Sequence, residues 1–182
     1  MDLTCLSVNN PVSYLMCYGI KNVENRSWTT EHRGTLYIHS SGRVGFRGMP
    51  DFSRFPMPVL HEFDQFLTEI QEMDEQGIYI GIPDSGVRVI LKNEEKQPPE
   101  VLNQYRLLAD VYAHYRSNDH SPFFRANAII GSVELTDIVT EADSPWAEPG
   151  KYHWILEDAR LFSEPITGVR ERAGLWTYST GE

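Results

Sequence analysis

The side chains best suited to chemistry lie in residues 19–28, which read Gly-Ile-Lys-Asn-Val-Glu-Asn-Arg-Ser-Trp. In an extended chain successive side chains point to opposite faces, so Glu24, Arg26 and Trp28 are expected on one side. Lys21 reaches that side if it stands at the turn before the strand. A carboxylate between two cations orients them for a phosphate or a base edge, and Trp28 would stack on a base. The alternative is a surface salt-bridge cluster with Trp28 in the core.

Further candidates follow in the next part of the chain. His39 and Ser40 end a predicted strand and could face a cleft, although ordinary strand-end residues look the same. Arg33 and the Gly- and Arg-rich loop from Ser40 to Arg54 are predicted to line the rim of that cleft, where they would close over phosphate. The binding site predicted from the sequence therefore extends from Lys21 to this loop.

Metal and cofactor chemistry is not predicted. The six histidines do not stand at metal-ligand spacing from cysteines or carboxylates. The sequence contains no P-loop, no dinucleotide-binding fingerprint and no nucleophile elbow. We therefore expect neither a metal nor a cofactor.

The composition predicts one globular domain. The 182 residues are 41% hydrophobic and 23% charged, which are ordinary values for a folded protein. The two cysteines cannot form a disulfide framework and suit a reducing compartment. Because there is neither a signal-peptide pattern nor a long apolar window, we expect a cytoplasmic protein, or a nuclear one in a eukaryote, with no membrane partner.

The charge is unevenly distributed along the chain. The formal net charge is −10, which opposes non-specific adhesion to a polyanion. Residues 1–58, however, carry six Lys or Arg against four Asp or Glu, whereas the remainder carries ten against twenty-two. An anionic ligand is therefore expected to bind the first part, unless this small positive excess arose by chance.

Hydrophobic patterns predict strands at both ends of the chain with helices between them. A short helix is expected over residues 11–18, because Asn10 suits the N-cap, Pro11 suits the first helical position and Gly19 follows the last one. Amphipathic helices are predicted over 59–73 and from 98 to 115. A barrel closed by the last strand would remove exposed sheet edges. The predicted strands span residues 3–8, 35–39, 126–139, 152–159 and 174–178.

Several motifs, in the same order along the chain, resemble the ASCH family, the activating signal cointegrator homology domains of the PUA-like group. The resemblance does not cover residues 42–125, which are interpreted as a mainly helical insertion in a single domain spanning residues 1–182. The matching features are Gly-x-Lys-x-x-Glu-x-Arg at 19–26, Trp28, Arg33-Gly34, His39-Ser40, Gly-x-Val-Glu-Leu-x-Asp at 131–137, Trp146, Tyr152-x-Trp154 and Gly-Leu-Trp at 174–176.

The resemblance implies an α+β fold, a PUA-like β-barrel with flanking helices, with Lys21, Glu24 and Arg26 in a cleft between barrel and helices. It also implies RNA binding, coactivation or RNA metabolism. Some relatives are nucleases or amidohydrolases that act on acetylated cytidine with a Lys and a Thr nucleophile. Lys21 matches the first of these positions, but Glu24 occupies the Thr position. Many members carry Gln-Pro-Trp at the first helix, where this chain has Asn-Pro-Val at residues 10–12.

Three functions stay open from the sequence. The first is a module that binds RNA, single-stranded nucleic acid or a nucleotide through the Lys21, Glu24 and Arg26 cleft. The second is a small hydrolase acting on an acylated nucleoside or on RNA, with Glu24 as general base and Lys21 stabilising negative charge. The third is a coactivator-like adaptor that uses the helical insertion to bind an unidentified protein partner.

Overall fold

The structure is a computed structural model that describes residues 1–42 and 124–181, with the single residues 103, 106, 107 and 110. Within the two long ranges it contains six strands and one short helix. In chain order these are β1 (Asp2–Asn9), α1 (Val12–Cys17), β2 (Val23–Arg26), β3 (Gly34–Ser41), β4 (Ala128–Val139), β5 (Tyr152–Thr167) and β6 (Leu175–Ser179).

All six strands form one mixed sheet in the order β2-β5-β4-β3-β1-β6. The pair β1 and β3 is parallel and every other neighbouring pair is antiparallel. The first and last strands are neighbours, with Cys5 opposite Trp176. The α+β class predicted from the sequence agrees with this arrangement.

The sheet curves strongly, but its two edges do not pair. β2 and β1 are four strand spacings apart, about 19 Å in a flat sheet and farther than one arginine side chain reaches. Even so, Arg26 Nη2 of β2 donates a hydrogen bond to Ser7 O of β1 at 3.2 Å. The register shifts between β4 and β5 account for this curvature, because a β-bulge bends the strand that contains it. The prediction of a closed barrel is wrong for the described residues, because β6 covers the free side of β1 and does not pair with β2.

Buried side chains lie on both faces of the sheet. One cluster consists of Leu3, Cys5, Ile129, Val169 and Trp176. Trp176 is 8% exposed, as its predicted place on the last strand beside the first requires. The other face is covered by α1, in which five of six residues are buried.

Close packing of α1 depends on Gly131 in β4. A Cβ atom added at Gly131 would lie 2.2 Å from Arg160 O and 2.7 Å from Cys17 Sγ. Neither distance is compatible with van der Waals contact, so this position requires glycine. The missing side chain lets both α1 and the neighbouring strand β5 lie close to β4 at this position.

The predicted strands agree well with the observed ones, except that β5 continues to Thr167 instead of ending near Ala159. The chain divides into two compact units, Met1–Asp51 with Phe124–Glu182, and Phe52–Phe123. The four single residues described in the second unit are helical and lie within the predicted helix at 98–115. The helix predicted at 59–73 lies outside the described residues. Within the described part of the chain, no helix is both long and apolar enough to cross a membrane.

Candidate functional site

The turn after α1 places Lys21 beside the strand that carries Glu24 and Arg26. Gly19 has φ +72°, a left-handed conformation that glycine adopts easily, and it follows the end of the helix. The amides of Ile20 and Lys21 both donate to Leu15 O, which turns the chain back under the helix. β2 then begins at Val23, only two residues later.

Glu24 contacts both cations, as the sequence predicts. Its Oε2 lies 2.8 Å from Lys21 Nζ, and its Oε1 lies 2.9 Å from Arg26 Nη2. The side chains of Lys21 and Glu24 are 7% and 10% exposed, whereas that of Arg26 is 22% exposed. The cluster is therefore largely desolvated, and Arg26 is its most solvent-accessible member.

Lys21 is held from several directions. Its Nζ also donates to Val23 O, and it lies 5.9 Å from the centre of the Trp146 ring, within the range of a cation–π contact. The indole of Trp146 is fixed in turn, because its Nε1 donates to Ile20 O at 3.1 Å. This arrangement restricts the ammonium group and leaves it little exposed surface.

Arg26 also connects β2 to β1. The antiparallel pairing of β1 with β6 ends at Leu6 and Leu175, so Ser7 O lies just beyond the last strand pair on that side. Arg26 Nη2 donates to this carbonyl. The guanidinium thereby satisfies a backbone acceptor at the place where the two sides of the curved sheet approach each other.

Part of the donor capacity of Arg26 is unused. A guanidinium has five N–H groups, and the two on Nη2 suffice for Glu24 and Ser7. Its Nε is buried and, among the described residues, has no hydrogen-bond partner. Because an unpaired buried donor is destabilising, an acceptor from water or from a ligand would lower the energy of this site.

Trp28 is not on the same strand as Glu24 and Arg26, since β2 ends at Arg26. Its ring packs edge to face against Trp154, with 4.8 Å between ring centroids. The Nε1 of Trp154 donates to Trp28 O at 3.4 Å. Trp28 is thus half-buried and packs against the fully buried Trp154.

His39 and Ser40 are completely buried and do not face a cleft. His39 Nε2 lies 2.9 Å from Val169 O, and this geometry requires the proton on Nε2. Ser13 Oγ donates to Ser40 Oγ at 2.9 Å. Both residues therefore make internal contacts, on β3, and we do not include them in the ligand surface.

Arg33 is exposed. It contacts residues of its own turn and one residue of β4. Its Nη1 donates to Thr30 O and to His32 O, and its Nη2 lies 3.7 Å from Asp137 Oδ1. None of these contacts joins it to the Lys21, Glu24 and Arg26 cluster. The part of the predicted rim loop beyond Gly42 lies outside the described residues.

The buried thiols are chemically quiet. Burial raises the pKa of Cys5 to about 11, and it also raises that of Cys17, so both are protonated at neutral pH. Among residues 1–42 and 124–181, no three His, Cys, Asp or Glu side chains form a group that could hold a metal ion.

Sequence reasoning missed Ser7 and Arg172 as neighbours of the cluster. Ser7 Oγ accepts from the backbone amide of Arg172 at 3.3 Å and from Trp176 Nε1 at 3.2 Å. No spacing rule joins residues 165 positions apart, so only the strand pairing could have revealed them. Trp146 belongs to the motifs of the resemblance, but its contact with Lys21 was not predicted.

Comparison with known proteins gives a short similarity. No protein-family model matches the chain. A segment of 39 residues is 51% identical to activating signal cointegrator 1 of Mus musculus, and the same holds for the protein of that name from Homo sapiens. The segment makes up 21% of this chain and spans only 7% of the length of those proteins. The similarity is therefore to a small part of them.

Proposed function

We propose that this chain is an ASCH-type, PUA-like module that binds single-stranded nucleic acid, with Arg26 as its central contact. The proposal rests on one observation: Arg26 is the accessible cation of a preorganised cluster and has a buried Nε without a partner in the described structure. The ordered motifs of the sequence support it. So does the 39-residue similarity to activating signal cointegrator 1.

The cluster suits binding because its charges are already fixed before a ligand arrives. Lys21 and Glu24 are buried side by side, and Glu24 holds one edge of the Arg26 guanidinium. The remaining N–H groups of Arg26 lie in the plane of the guanidinium and can donate charge-assisted hydrogen bonds to a phosphate oxygen or to the edge of a base. Little side-chain entropy is then lost on binding, which favours affinity.

The same geometry gives Glu24 an orienting role in this proposal. A general base must accept a proton from water, yet each oxygen of Glu24 already accepts a hydrogen bond from a cation. For this reason we propose binding in preference to hydrolysis of an acylated nucleoside or RNA.

The test is a titration of labelled single-stranded RNA and DNA of mixed sequence with wild-type protein, Arg26→Gln and Arg26→Lys. Loss of a charge-assisted hydrogen bond costs about 1.5–3 kcal/mol, so Arg26→Gln should bind about 10- to 150-fold more weakly. Arg26→Lys should keep the charge but lose the planar fork, and we expect intermediate affinity.

Arg160→Gln is the matched control, because Arg160 is an exposed arginine on β5. It should bind as the wild type does. Melting temperatures of all variants separate lost binding from lost folding. If wild-type protein binds neither RNA nor DNA at low salt, or if Arg26→Gln binds as tightly as Arg160→Gln, the proposal is wrong.

A further inference from the structure

Ser7 joins the cluster to the segment between β5 and β6. Its carbonyl accepts from Arg26 Nη2 at 3.2 Å. Its hydroxyl accepts from Trp176 Nε1 at 3.2 Å and from the backbone amide of Arg172 at 3.3 Å. One residue of β1 therefore fixes Arg26 on one side and the segment that carries Arg172 on the other.

The guanidinium of Arg172 is ordered by stacking. Its Cζ lies 5.5 Å from the centre of the Trp176 ring, which is a cation–π distance. Trp176 is itself 8% exposed and fixed through its Nε1, so it forms a rigid base for the arginine. Arg172 is exposed, and no carboxylate among the described residues lies within ion-pair distance of it. An ordered, accessible cation without an anion among the described residues is thus available on the segment that Ser7 joins to the cluster.

The local charge balance is positive although the whole chain is acidic. The contact network around Ser7 contains the cations Lys21, Arg26 and Arg172 and the single carboxylate of Glu24. Arg170 adds a cation and Glu171 an anion in the same segment, and both are exposed. Because the chain as a whole has a net charge of −10, this surface differs from the remainder in sign.

We propose that Arg172, supported by Trp176, forms a second phosphate contact beside Arg26, so that the site fits an oligonucleotide and not a single nucleotide. This inference rests on the proposed function, since it extends the same surface. Two separately fixed guanidinium groups match a ligand that has successive phosphates. Their mutual repulsion is relieved when such a polyanion binds.

The test is the salt dependence of binding for Arg172→Gln, measured with a labelled single-stranded 12-nucleotide RNA and the matching DNA. Each phosphate neutralised on a single strand adds about 0.7 to the slope of log affinity against log salt concentration. Arg172→Gln should lower this slope by about 0.7. The ratio of wild-type affinity to variant affinity should therefore be about eight times larger at 50 mM salt than at 1 M salt. Competition by adenosine 5′-monophosphate should be the same for both proteins.

Three controls separate the outcomes. Arg160→Gln removes an equal charge elsewhere and should keep the wild-type slope, and Arg172→Lys should also keep most of it. The melting temperature of Arg172→Gln should stay at the wild-type value, since the side chain is exposed. A wild-type slope in Arg172→Gln overturns this inference while leaving Arg26 as the contact, whereas no oligonucleotide binding by wild-type protein overturns both proposals.

Discussion

Replacing Glu24 by Gln tests whether the cluster is a buried charge network. Gln keeps nearly the same volume and one oxygen acceptor, so the substitution chiefly removes the negative charge. Lys21 then stays buried beside Arg26 with no carboxylate to offset either cation. We expect a marked loss of stability, because an uncompensated buried charge is much more costly than the pair was favourable.

The magnitude follows from the exposure of the three side chains. Removing one partner of a buried ion pair typically costs 3–5 kcal/mol. The side chains of Lys21 and Glu24 are 7% and 10% exposed and so have lost most of their hydration, but that of Arg26 is 22% exposed and keeps part of it. The expected loss in the free energy of unfolding is therefore near the lower end, about 3 kcal/mol.

Urea unfolding followed by tryptophan fluorescence measures this loss. Glu31→Gln is the matched control, because Glu31 is exposed, and it should change stability by less than about 0.5 kcal/mol. The double variant Lys21→Met/Glu24→Gln removes both buried charges and should recover about half of the loss. Raising salt from 0.1 to 1 M should leave the effect nearly unchanged, since buried pairs are weakly screened.

A cost below about 1 kcal/mol for Glu24→Gln, with a double variant no more stable than the single one, would refute this reasoning. The cluster would then behave as a solvated surface ion pair. Because Lys21 is itself buried, we also expect a measurable loss of stability from Lys21→Ala.

Three further predictions concern the fold. Gly131→Ala should cost at least about 3 kcal/mol in urea unfolding, because the new Cβ meets the backbone at Arg160 O, whereas Gly181→Ala, with open space around it, should be neutral. Between pH 8.5 and 11 the free energy of unfolding should fall as pH rises. The reason is that Cys5 ionises near its ordinary pKa of about 8.5 in the unfolded chain, whereas its pKa in the folded chain is about 11. Urea unfolding at pH 8 and 10.5 measures this fall, and Cys5→Ala should make it smaller. Replacing residues 43–123 by a short glycine-containing turn should leave the sheet folded, because Ser40 already pairs with Ala128. The four tryptophans all lie outside the replaced segment and should keep native-like fluorescence. A circular dichroism spectrum of an unfolded chain would contradict this prediction.

The sequence pattern predicted the bounds of β1, β3, β4 and β6 to within two residues. β5 was the exception, and its residues explain why. Asp158 has φ +46° and interrupts the ladder between Glu157 and Arg160, so the alternation shifts along the strand. Pro165 lies near its end, and proline is normally evidence against a strand. Closure could not be judged either, since curvature arises from register shifts that leave little trace in composition.

Part of the site was predictable because it depends on local spacing. Glu24 and Arg26 are two residues apart on a strand, and Lys21 lies three residues before Glu24 at the turn that leads into that strand. The two ion pairs of Glu24 therefore follow from local geometry. Their burial does not, because Ser7 and Trp146 cover them from distant parts of the sequence. The burial of His39 and Ser40 could not be predicted either, since the end of a strand has the same sequence pattern whether it is buried or exposed.

The position of β1 between β3 and β6 has a consequence for how the chain folds. Cys5 pairs with Tyr37 on one side and with Trp176, 171 positions away, on the other. Closing the longer loop costs only about 1.5 kcal/mol more in chain entropy than closing the shorter one. Such non-local pairing nevertheless slows folding, so β6 is expected to dock after β1 and β3 have paired. The contacts of Ser7 with Trp176 and Arg172 would then form in the last step, and the basic surface would exist only in the fully folded chain.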